Sequence, residues 1–189
     1  MKYTQGKYQV LEKKALAKDI FSIVILCPEV AQAAVPGQFV HILPEGFTLR
    51  RPISICDIDK EKGTLRIVFI VKGDGTKLIA AIKEGSLIDM LAPLGHGFTV
   101  DESFKKVVLV GGGIGTPPPM MPLAKIYGKK ATVISGFRSA EAVILQEDFK
   151  KTGAETILCT DDGTTGRKGF VTEPLKELLE QGSIDAVYA

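Results

Sequence analysis

The stretch Val107-Val-Leu-Val-Gly-Gly-Gly-Ile-Gly-Thr-Pro117 has the composition of a phosphate-binding turn. Four apolar residues, three of them β-branched, read as a buried strand. Gly111, Gly112, Gly113, Ile114 and Gly115 follow at once. After Pro117 to Pro119 an apolar, helix-compatible run spans Met120 to Tyr127. Strand, glycine turn and helix together present backbone N–H groups and a helix N-terminus to a phosphate. Glycines let a pyrophosphate approach a backbone that side chains would cover. Proline suits the first helical turn, where its missing N–H costs nothing. The spacing is neither G-x-G-x-x-G nor a Walker A loop, since no Lys-Ser or Lys-Thr pair follows. The competing reading is a turn whose glycines only pack strand against helix.

A second constellation lies earlier, in Arg50-Arg-Pro-Ile-Ser-Ile55. Arg51 supplies a planar fork for phosphate oxygens and Ser54 a short hydroxyl. Pro52 fixes the backbone between them. Some twenty residues on, Gly73-Asp-Gly-Thr76 opens a helix-like segment with Thr76 as its expected N-cap, a further seat for phosphate. Taken singly, Arg51 reads equally well as a surface charge and Thr76 as a plain cap. With the glycine loop they suggest a second phosphorylated ligand.

Other reactive residue types carry less. Cys27, Cys56 and Cys159 are far apart and odd in number, giving neither a disulfide framework nor metal-ligand spacing. They read as small buried hydrophobes. His41 and His96 are not placed as catalysts. Arg138, after a strand at Ala131 to Ser135, could meet a 2′-phosphate or stack on an adenine. Asp161 and Asp162 follow the next strand and could accept a ribose hydroxyl, or simply turn the chain into Gly163. NAD and NADP both remain open on these residues.

The elements that must position these groups change character near residue 100. Before it, short strand-like runs alternate with turn signals at Tyr8 to Lys14, Ile20 to Cys27, Gln38 to Leu43, Arg51 to Asp57, Thr64 to Val71 and Ser86 to Ala92. Thr76 to Ile82 is the one helix-like piece. Closely spaced short strands suggest an antiparallel barrel or sandwich. After residue 105, strands at Val107 to Val110, Ala131 to Ser135, Glu155 to Thr160 and Ala186 to Ala189 alternate with helices at Met120 to Tyr127, near Glu141 to Lys150, and at Val171 to Gln181. That is a βαβ series and hence a parallel sheet covered by helices. The expected domains are 1–100 and 101–189. The chain has 189 residues, 45% hydrophobic and 24% charged, ordinary values for a globular protein. A net charge of +2 is too small to argue for nucleic acid or an acidic membrane surface as partner, and neither is expected. No apolar run approaches the ~18 residues of a membrane span, and Met1-Lys-Tyr-Thr-Gln-Gly leads into no apolar signal core. A cytoplasmic protein is expected.

Arg51-Pro-Ile-Ser54, then a Gly-Thr helix start, then a strand ending in Gly-Gly-Gly-Ile-Gly-x-x-Pro resemble the ferredoxin reductase superfamily. Within it, these motifs with Pro93-Leu-Gly-His-Gly-Phe98, Gly136-Phe-Arg-Ser-Ala-Glu141, Thr160-Asp-Asp-Gly163 and Lys168-Gly-Phe-Val-Thr172 resemble the electron-transfer subunits of NAD-dependent dihydroorotate dehydrogenase. The match runs from about Tyr8 to the end of the chain. The barrel motifs are fairly specific to this subunit, whereas the glycine loop is shared across the superfamily.

The resemblance implies an N-terminal antiparallel β-barrel that binds FAD and a C-terminal α/β parallel-sheet domain that binds NAD(H). Arg51 and Ser54 would hold the FAD pyrophosphate, with Pro52 and Ile53 along the flavin. Val68, Phe69 and Ile70 would line the ring through their backbones, and Gly75 and Thr76 would close on the phosphates. NADH would bind at Gly111 to Gly115. The implied activity is electron transfer from NADH, through FAD and a [2Fe-2S] cluster, to an FMN-containing catalytic subunit that oxidises dihydroorotate in pyrimidine biosynthesis, in a heterotetramer. The family continues past Ala189 into a Cys-Gly-Pro turn and a cysteine-rich cluster loop. This sequence holds no C-x₄-C-x₂-C spacing, so a nucleotide domain truncated before the cluster is expected, or else a naturally short paralogue, in either case with no cluster ligated by its own residues. Three prolines at Pro117 to Pro119, where one is usual, are a milder departure. Two alternatives are the flavin subunit of another reductase of the superfamily, such as an NADH-dependent ferredoxin:NADP oxidoreductase, a sulfide dehydrogenase or a hydrogenase-associated subunit, and a non-enzymatic binding module of the same fold.

Overall fold

The computed structural model describes residues 3–115 and 117–189. Met1 and Lys2 of the N-terminal reading, and Thr116 of the glycine motif, lie outside the described residues. The chain divides into two compact units, one ending at Phe98 and one running Thr99–Ala189.

In the first unit, strands β1 (Thr4–Ala17), β2 (Ile20–Leu26), β3 (Phe39–Leu43), β4 (Arg51–Asp59), β5 (Thr64–Ile70) and β6 (Leu87–Leu94) close into an antiparallel barrel, ordered β1-β2-β5-β4-β3-β6. Period-two alternation explains the closure. Val10, Ile23, Ile25, Val40, Ile42, Ile53, Ile55, Leu65, Ile67, Ile88 and Met90 alternate with more exposed neighbours and meet in one core. Full burial of each such aliphatic side chain stabilises by about 1.5–3 kcal/mol relative to exposure. Two helices join this core. Helix α1 (Pro28–Ala33) inserts Val30 and Ala31, and α2 (Asp74–Ala81) inserts Ile79.

Helix α1 corrects the expectation that Thr76 to Ile82 is the one helical piece. Six residues span less than two turns, too few for a periodic signal, although Pro28 opens the helix and Glu29 sits in its first turn. The start of α2 is a second correction. Its N-cap is Gly73, and Thr76 is the third residue of the helix rather than the cap. Strand β1 is longer than its predicted core, because it pairs with β6 through Thr4–Gln9 and with β2 through Gln9–Ala17.

The second unit carries β7 (Val107–Gly112), β8 (Ala131–Phe137), β9 (Glu155–Thr160), β10 (Arg167–Lys168) and β11 (Ala186–Tyr188) in one parallel sheet, ordered β10-β9-β8-β7-β11. Val108, Val110, Ile134 and Cys159 face α5 (Thr172–Glu180), where Val171, Leu175, Leu178 and Ile184 pack on them. By alternation Val107, Leu109 and Val133 face the other side. Helix α3 (Pro117–Tyr127) packs on β7 and β8, and α4 (Gln146–Lys151) on β9.

The helix expected near Glu141 to Lys150 is broken. A 3₁₀ turn at Ala140–Ala142 precedes α4, and Leu145 between them has φ +64°, a conformation no helix contains. Helix α3 begins at Pro117 rather than Met120, so the proline run fills its first turn. Pro122 sits inside it and can donate no bond to the preceding turn.

Strand β11 is fixed beside β7 by specific polar contacts. The Asp185 carboxylate accepts the Lys105 and Lys106 N–H groups at 2.6 and 2.8 Å, and the Asp185 N–H donates to the Lys106 carbonyl at 2.8 Å. The Tyr188 and Tyr127 hydroxyls lie 2.7 Å apart, and Tyr188 donates to the Thr99 carbonyl at 2.9 Å. Those two N–H groups hold the Asp185 carboxyl below its ordinary 3.8. A depressed carboxyl contributes stability above its unfolded value and loses it as pH falls through the folded one. Asp185→Ala is therefore expected to lower the thermal midpoint at neutral pH. The gap to the unsubstituted chain should close below about pH 4. Melting curves across that range check it, and a gap of constant size would contradict it.

Candidate functional sites

The barrel site is built where two neighbouring strands part. The β4–β5 ladder runs from Asp59–Thr64 to Ile55–Ile67 and ends there. Beyond it, β5 continues through Val68, Phe69 and Ile70 paired only with β2, at Ser22, Phe21 and Ile20. Likewise β4 continues through Arg51, Pro52, Ile53 and Ser54 paired only with β3. Among the described residues, the facing edges of these two segments carry no ladder, so their backbone groups are available to a ligand. Side-chain direction sharpens the expected roles. Ile53 and Phe69 are buried in the barrel core, so each can offer a ligand only its backbone. Pro52 is exposed and Ser54 half-buried, with no hydrogen bond to the Ser54 hydroxyl among the described residues. Val68 is buried and Ile70 half-buried.

Arg51 and the start of α2 come together beside this opening. The Arg51 guanidinium lies against Gly75 so closely that a Cβ there would stand 2.8 Å from its Cζ. It also covers the Phe47 ring at 5.0 Å and donates to the Leu49 carbonyl at 2.7 Å. Arg51 pairs with no carboxylate among the described residues. Its neighbour Arg50 is committed elsewhere, 2.7 Å from the Asp89 carboxylate and 3.2 Å from the His41 carbonyl that it also bonds. The adjacent arginines thus divide, one structural and one open. In α2 the first helical bond runs from the Lys77 N–H to the Gly73 carbonyl, which leaves the earlier Asp74, Gly75 and Thr76 N–H groups at the helix mouth. The Thr76 hydroxyl is not free to join them. It accepts from the Lys72 and Gly73 N–H groups at 2.9 and 3.1 Å and donates to the Gly73 carbonyl at 2.9 Å. Thr76 therefore shapes the loop and can offer a ligand its N–H.

In the second unit, Gly111 and Gly112 belong to β7, opposite Ser135 and Gly136. The turn proper is Gly113, Ile114 and Gly115. Gly113 has φ +64° and donates to the Gly136 carbonyl at 2.8 Å. Among the described residues, a Cβ added at Gly113 or Gly115 would meet nothing within 4 Å, and one at Gly112 would meet its nearest atom at 3.9 Å. The fold thus needs glycine at 113 for its backbone angle, but packing requires none at 112 or 115. Gly136 is different, because a Cβ there would stand 2.6 Å from Val171 Cγ1. Close strand-to-helix packing belongs to Gly136, while the loop glycines border open space.

The loop also sits where the sheet reverses direction. Strands β8, β9 and β10 lie to one side of β7 and β11 to the other. The carboxyl end of the strands at such a point is the ligand crevice of open α/β sheets. Arg138 is exposed just past β8, its carbonyl accepting the Asp162 N–H at 3.3 Å. Asp161 is exposed, and its carboxylate has no hydrogen bond among the described residues. The Asp162 carboxylate accepts the Thr164 N–H at 2.9 Å and the Thr164 hydroxyl at 2.7 Å, and these bonds hold it below the usual carboxylate range. Of the two aspartates, only Asp161 is open to a ligand. Phe170, beside Val171, is 66% exposed and lies outside the site residues expected from the sequence. Its sequence signal is a large aromatic between Gly169 and the start of α5.

The three cysteines are buried and form no disulfide, and burial pushes Cys27 up to about 12. Among the described residues, no three His, Cys, Asp or Glu side chains come together to hold a metal. No helix of the described chain is long and apolar enough to cross a membrane.

Over 171 residues the chain is 44% identical to the dihydroorotate dehydrogenase B (NAD(+)) electron transfer subunit of Bacillus mycoides strain KBAB4, covering 87% of this chain and 66% of that one. The same subunit of Bacillus cereus strain G9842 matches at 44% over the same shares. The chain thus spans just under two thirds of the length of these relatives. Among solved structures, the NADH-dependent reduced ferredoxin-NADP oxidoreductase superposes with TM-score 0.83 and 29% identity, over 96% of this chain and 66% of that one. The ferredoxin reductase of carbazole 1,9a-dioxygenase superposes with TM-score 0.81 over 99% of this chain and 61% of that one, at 18% identity, a likeness of fold alone. No family model matches. Sequence identity through both units, on a barrel joined to a parallel sheet, makes this chain a member of the dihydroorotate dehydrogenase B electron transfer subunit family, built on the ferredoxin reductase-like fold.

Proposed function

We propose that the chain binds FAD in the barrel unit and NAD(H) in the sheet unit, and that it carries electrons between NAD(H) and a partner dehydrogenase. The observation that carries this reading is the parting of β4 from β5, with the Arg51 guanidinium and the mouth of α2 beside it. The residues present fit a flavin dinucleotide. Arg51 would take the pyrophosphate as a charged fork, helped by the Gly75 and Thr76 N–H groups at the positive end of α2. Ser54 would add its hydroxyl. The free edges of Ile53 and of Val68 to Ile70 would meet the polar rim of the ring, with the Pro52 ring alongside it. When bound, a flavin supplies the exchange between two-electron and one-electron chemistry.

On the sheet unit, the turn at Gly113, Ile114 and Gly115 would receive the nucleotide pyrophosphate, with Gly111 and Gly112 keeping the end of β7 bare. Asp161 would accept a ribose hydroxyl, which favours NAD over NADP, and Arg138 and Phe170 would present flat surfaces to the base. The names of the relatives at 44% identity support a catalytic partner that oxidises dihydroorotate, and we propose an FMN-containing one in a heterotetramer. The cysteines present are far apart, and among the described residues they do not fit an iron–sulfur cluster.

Two sets of variants test the reading. Arg51→Ala is expected to weaken FAD by about 1.5–3 kcal/mol, the range for a hydrogen bond to a charged group. Arg50, held by Asp89, cannot take its place. Flavin retained per protein after gel filtration measures this, and retention equal to that of the unsubstituted chain would contradict it. For the nucleotide, Gly115→Ala places its methyl in open space and should shift stability by no more than about 0.5 kcal/mol. It should nevertheless weaken NADH on the order of tenfold, because the methyl enters the phosphate's approach. Gly113→Ala should in addition destabilise by about 1–2 kcal/mol through its positive φ. Unchanged NADH affinity in Gly115→Ala would show that the loop serves only the fold.

A further inference from the structure

We propose that Thr160 and Thr164 are positioning residues that fix Asp161 opposite Arg138 and so set a preference of the sheet unit for NADH over NADPH, an inference that rests on the reading of Asp161 above. Strands β8 and β9 pair through Gly136–Cys159 and Phe137–Thr160, so Arg138 and Asp161 come next in register. The ladder continues past the strand ends. The Asp161 N–H donates to the Phe137 carbonyl at 3.0 Å, and the Asp162 N–H to the Arg138 carbonyl at 3.3 Å. Neighbouring strands stand about 4.8 Å apart, a spacing at which one ribose can reach both residues.

Two threonines hold the loop that leaves Asp161. Thr160 is fully buried, where a hydroxyl costs free energy unless it is bonded. It donates to the Thr165 carbonyl at 2.6 Å and accepts the Thr165 N–H at 3.4 Å. The Thr160 carbonyl accepts the Gly163 and Gly169 N–H groups at 3.3 and 3.0 Å. The loop is thus closed on the residue that precedes Asp161. Thr164 ties the same loop outward. Its hydroxyl donates to the Asp162 carboxylate at 2.7 Å and accepts the Ala140 N–H at 2.8 Å. One hydroxyl therefore joins the loop after β9 to the loop after β8, next but one to Arg138. The bridge needs a donor and an acceptor on one atom, and valine, of nearly the same shape, offers neither.

The result is a fixed backbone that bears a free carboxylate. Asp161 is flanked by these bonds, yet its own carboxylate makes none among the described residues. A ribose diol can donate to that carboxylate, whereas a 2′-phosphate in the same place meets a like charge. Arg138 pulls the other way, because its guanidinium attracts a phosphate. The repulsion prevails only while the carboxylate is kept from swinging aside, since rejection of a wrong ligand requires the unfavourable contact to be maintained. With the loop released, the attraction of Arg138 is no longer offset and the preference for NADH falls.

Titration with NADH and NADPH, followed by nucleotide fluorescence, gives the ratio of the two dissociation constants for each variant. Thr160→Val and Thr164→Val remove the hydroxyls, Thr160→Ser and Thr164→Ser restore them, and Asp161→Ala probes the underlying reading. The preference for NADH is expected to fall about three- to tenfold in each valine variant, the worth of one hydrogen bond. The serine variants should stay within about twofold of the unsubstituted chain. Thr164 is exposed, so Thr164→Val suffices if the buried Thr160→Val folds poorly. A purely structural role would weaken both nucleotides together and leave the ratio where it was. That result, with a ratio lowered in Asp161→Ala, would overturn the positioning role and leave the reading of Asp161 standing. No preference in the unsubstituted chain, or an unchanged ratio in Asp161→Ala, would overturn that reading and this inference with it.

Discussion

A closed barrel satisfies its backbone by pairing every strand with two neighbours, and here one such pairing stops early. Past Ile55–Ile67, β4 and β5 separate while each keeps its other partner, β3 or β2. A loss of ladder leaves donors and acceptors without partners, which proteins rarely tolerate away from solvent or ligand. The barrel can hold such an opening because the rest of its ring is continuous and its core is packed with fully buried aliphatics. The site is therefore a local interruption in a stiff scaffold. Arg51 stands at the start of the parted segment, Ser54 lies within it, and Gly75 admits the guanidinium where any side chain would collide.

In the sheet unit the corresponding constraint is topological. Parallel strands end together, and β7 lies where the order turns from β8 towards β11, so the loop after it faces open space rather than a neighbour. Three glycines in and beside this turn answer to different demands. Gly113 meets a backbone angle, Gly136 meets Val171, and a Cβ at Gly115 would meet nothing among the described residues. A glycine that the fold does not need is best explained by something that must come close to it. Asp185 and the Tyr127–Tyr188 pair hold β11 in place and so keep this end of the sheet in register.

Much of this was legible in the sequence because it depends on patterns local to one element. Alternating aliphatics marked the barrel strands, four apolar residues running into glycines marked β7 and its turn, and Arg51 and Gly75 stood in recognisable motifs. What escaped depends on partners far along the chain. The parting of β4 from β5 is a matter of register between strands and leaves no trace in either strand alone. Gly73 as N-cap carries no side-chain signal, so the neighbouring threonine drew the assignment that belongs to it. Helix α1 is too short to show a period, and Leu145 breaks a helix by a backbone angle that its residue type does not announce. The division of labour between Arg50 and Arg51, and between Asp161 and Asp162, is set by Asp89 and Thr164, one of them distant in sequence.

A flavin dinucleotide at the parted edges and the mouth of α2 would cover the backbone groups left open there. Amide hydrogen exchange with and without FAD reads those groups directly. FAD is expected to slow exchange in peptides covering Arg51–Ser54, Val68–Ile70 and Asp74–Thr76 and to leave Val107–Gly115 unchanged. Protection absent from the first three segments, or confined to the glycine loop of the sheet unit, would contradict it.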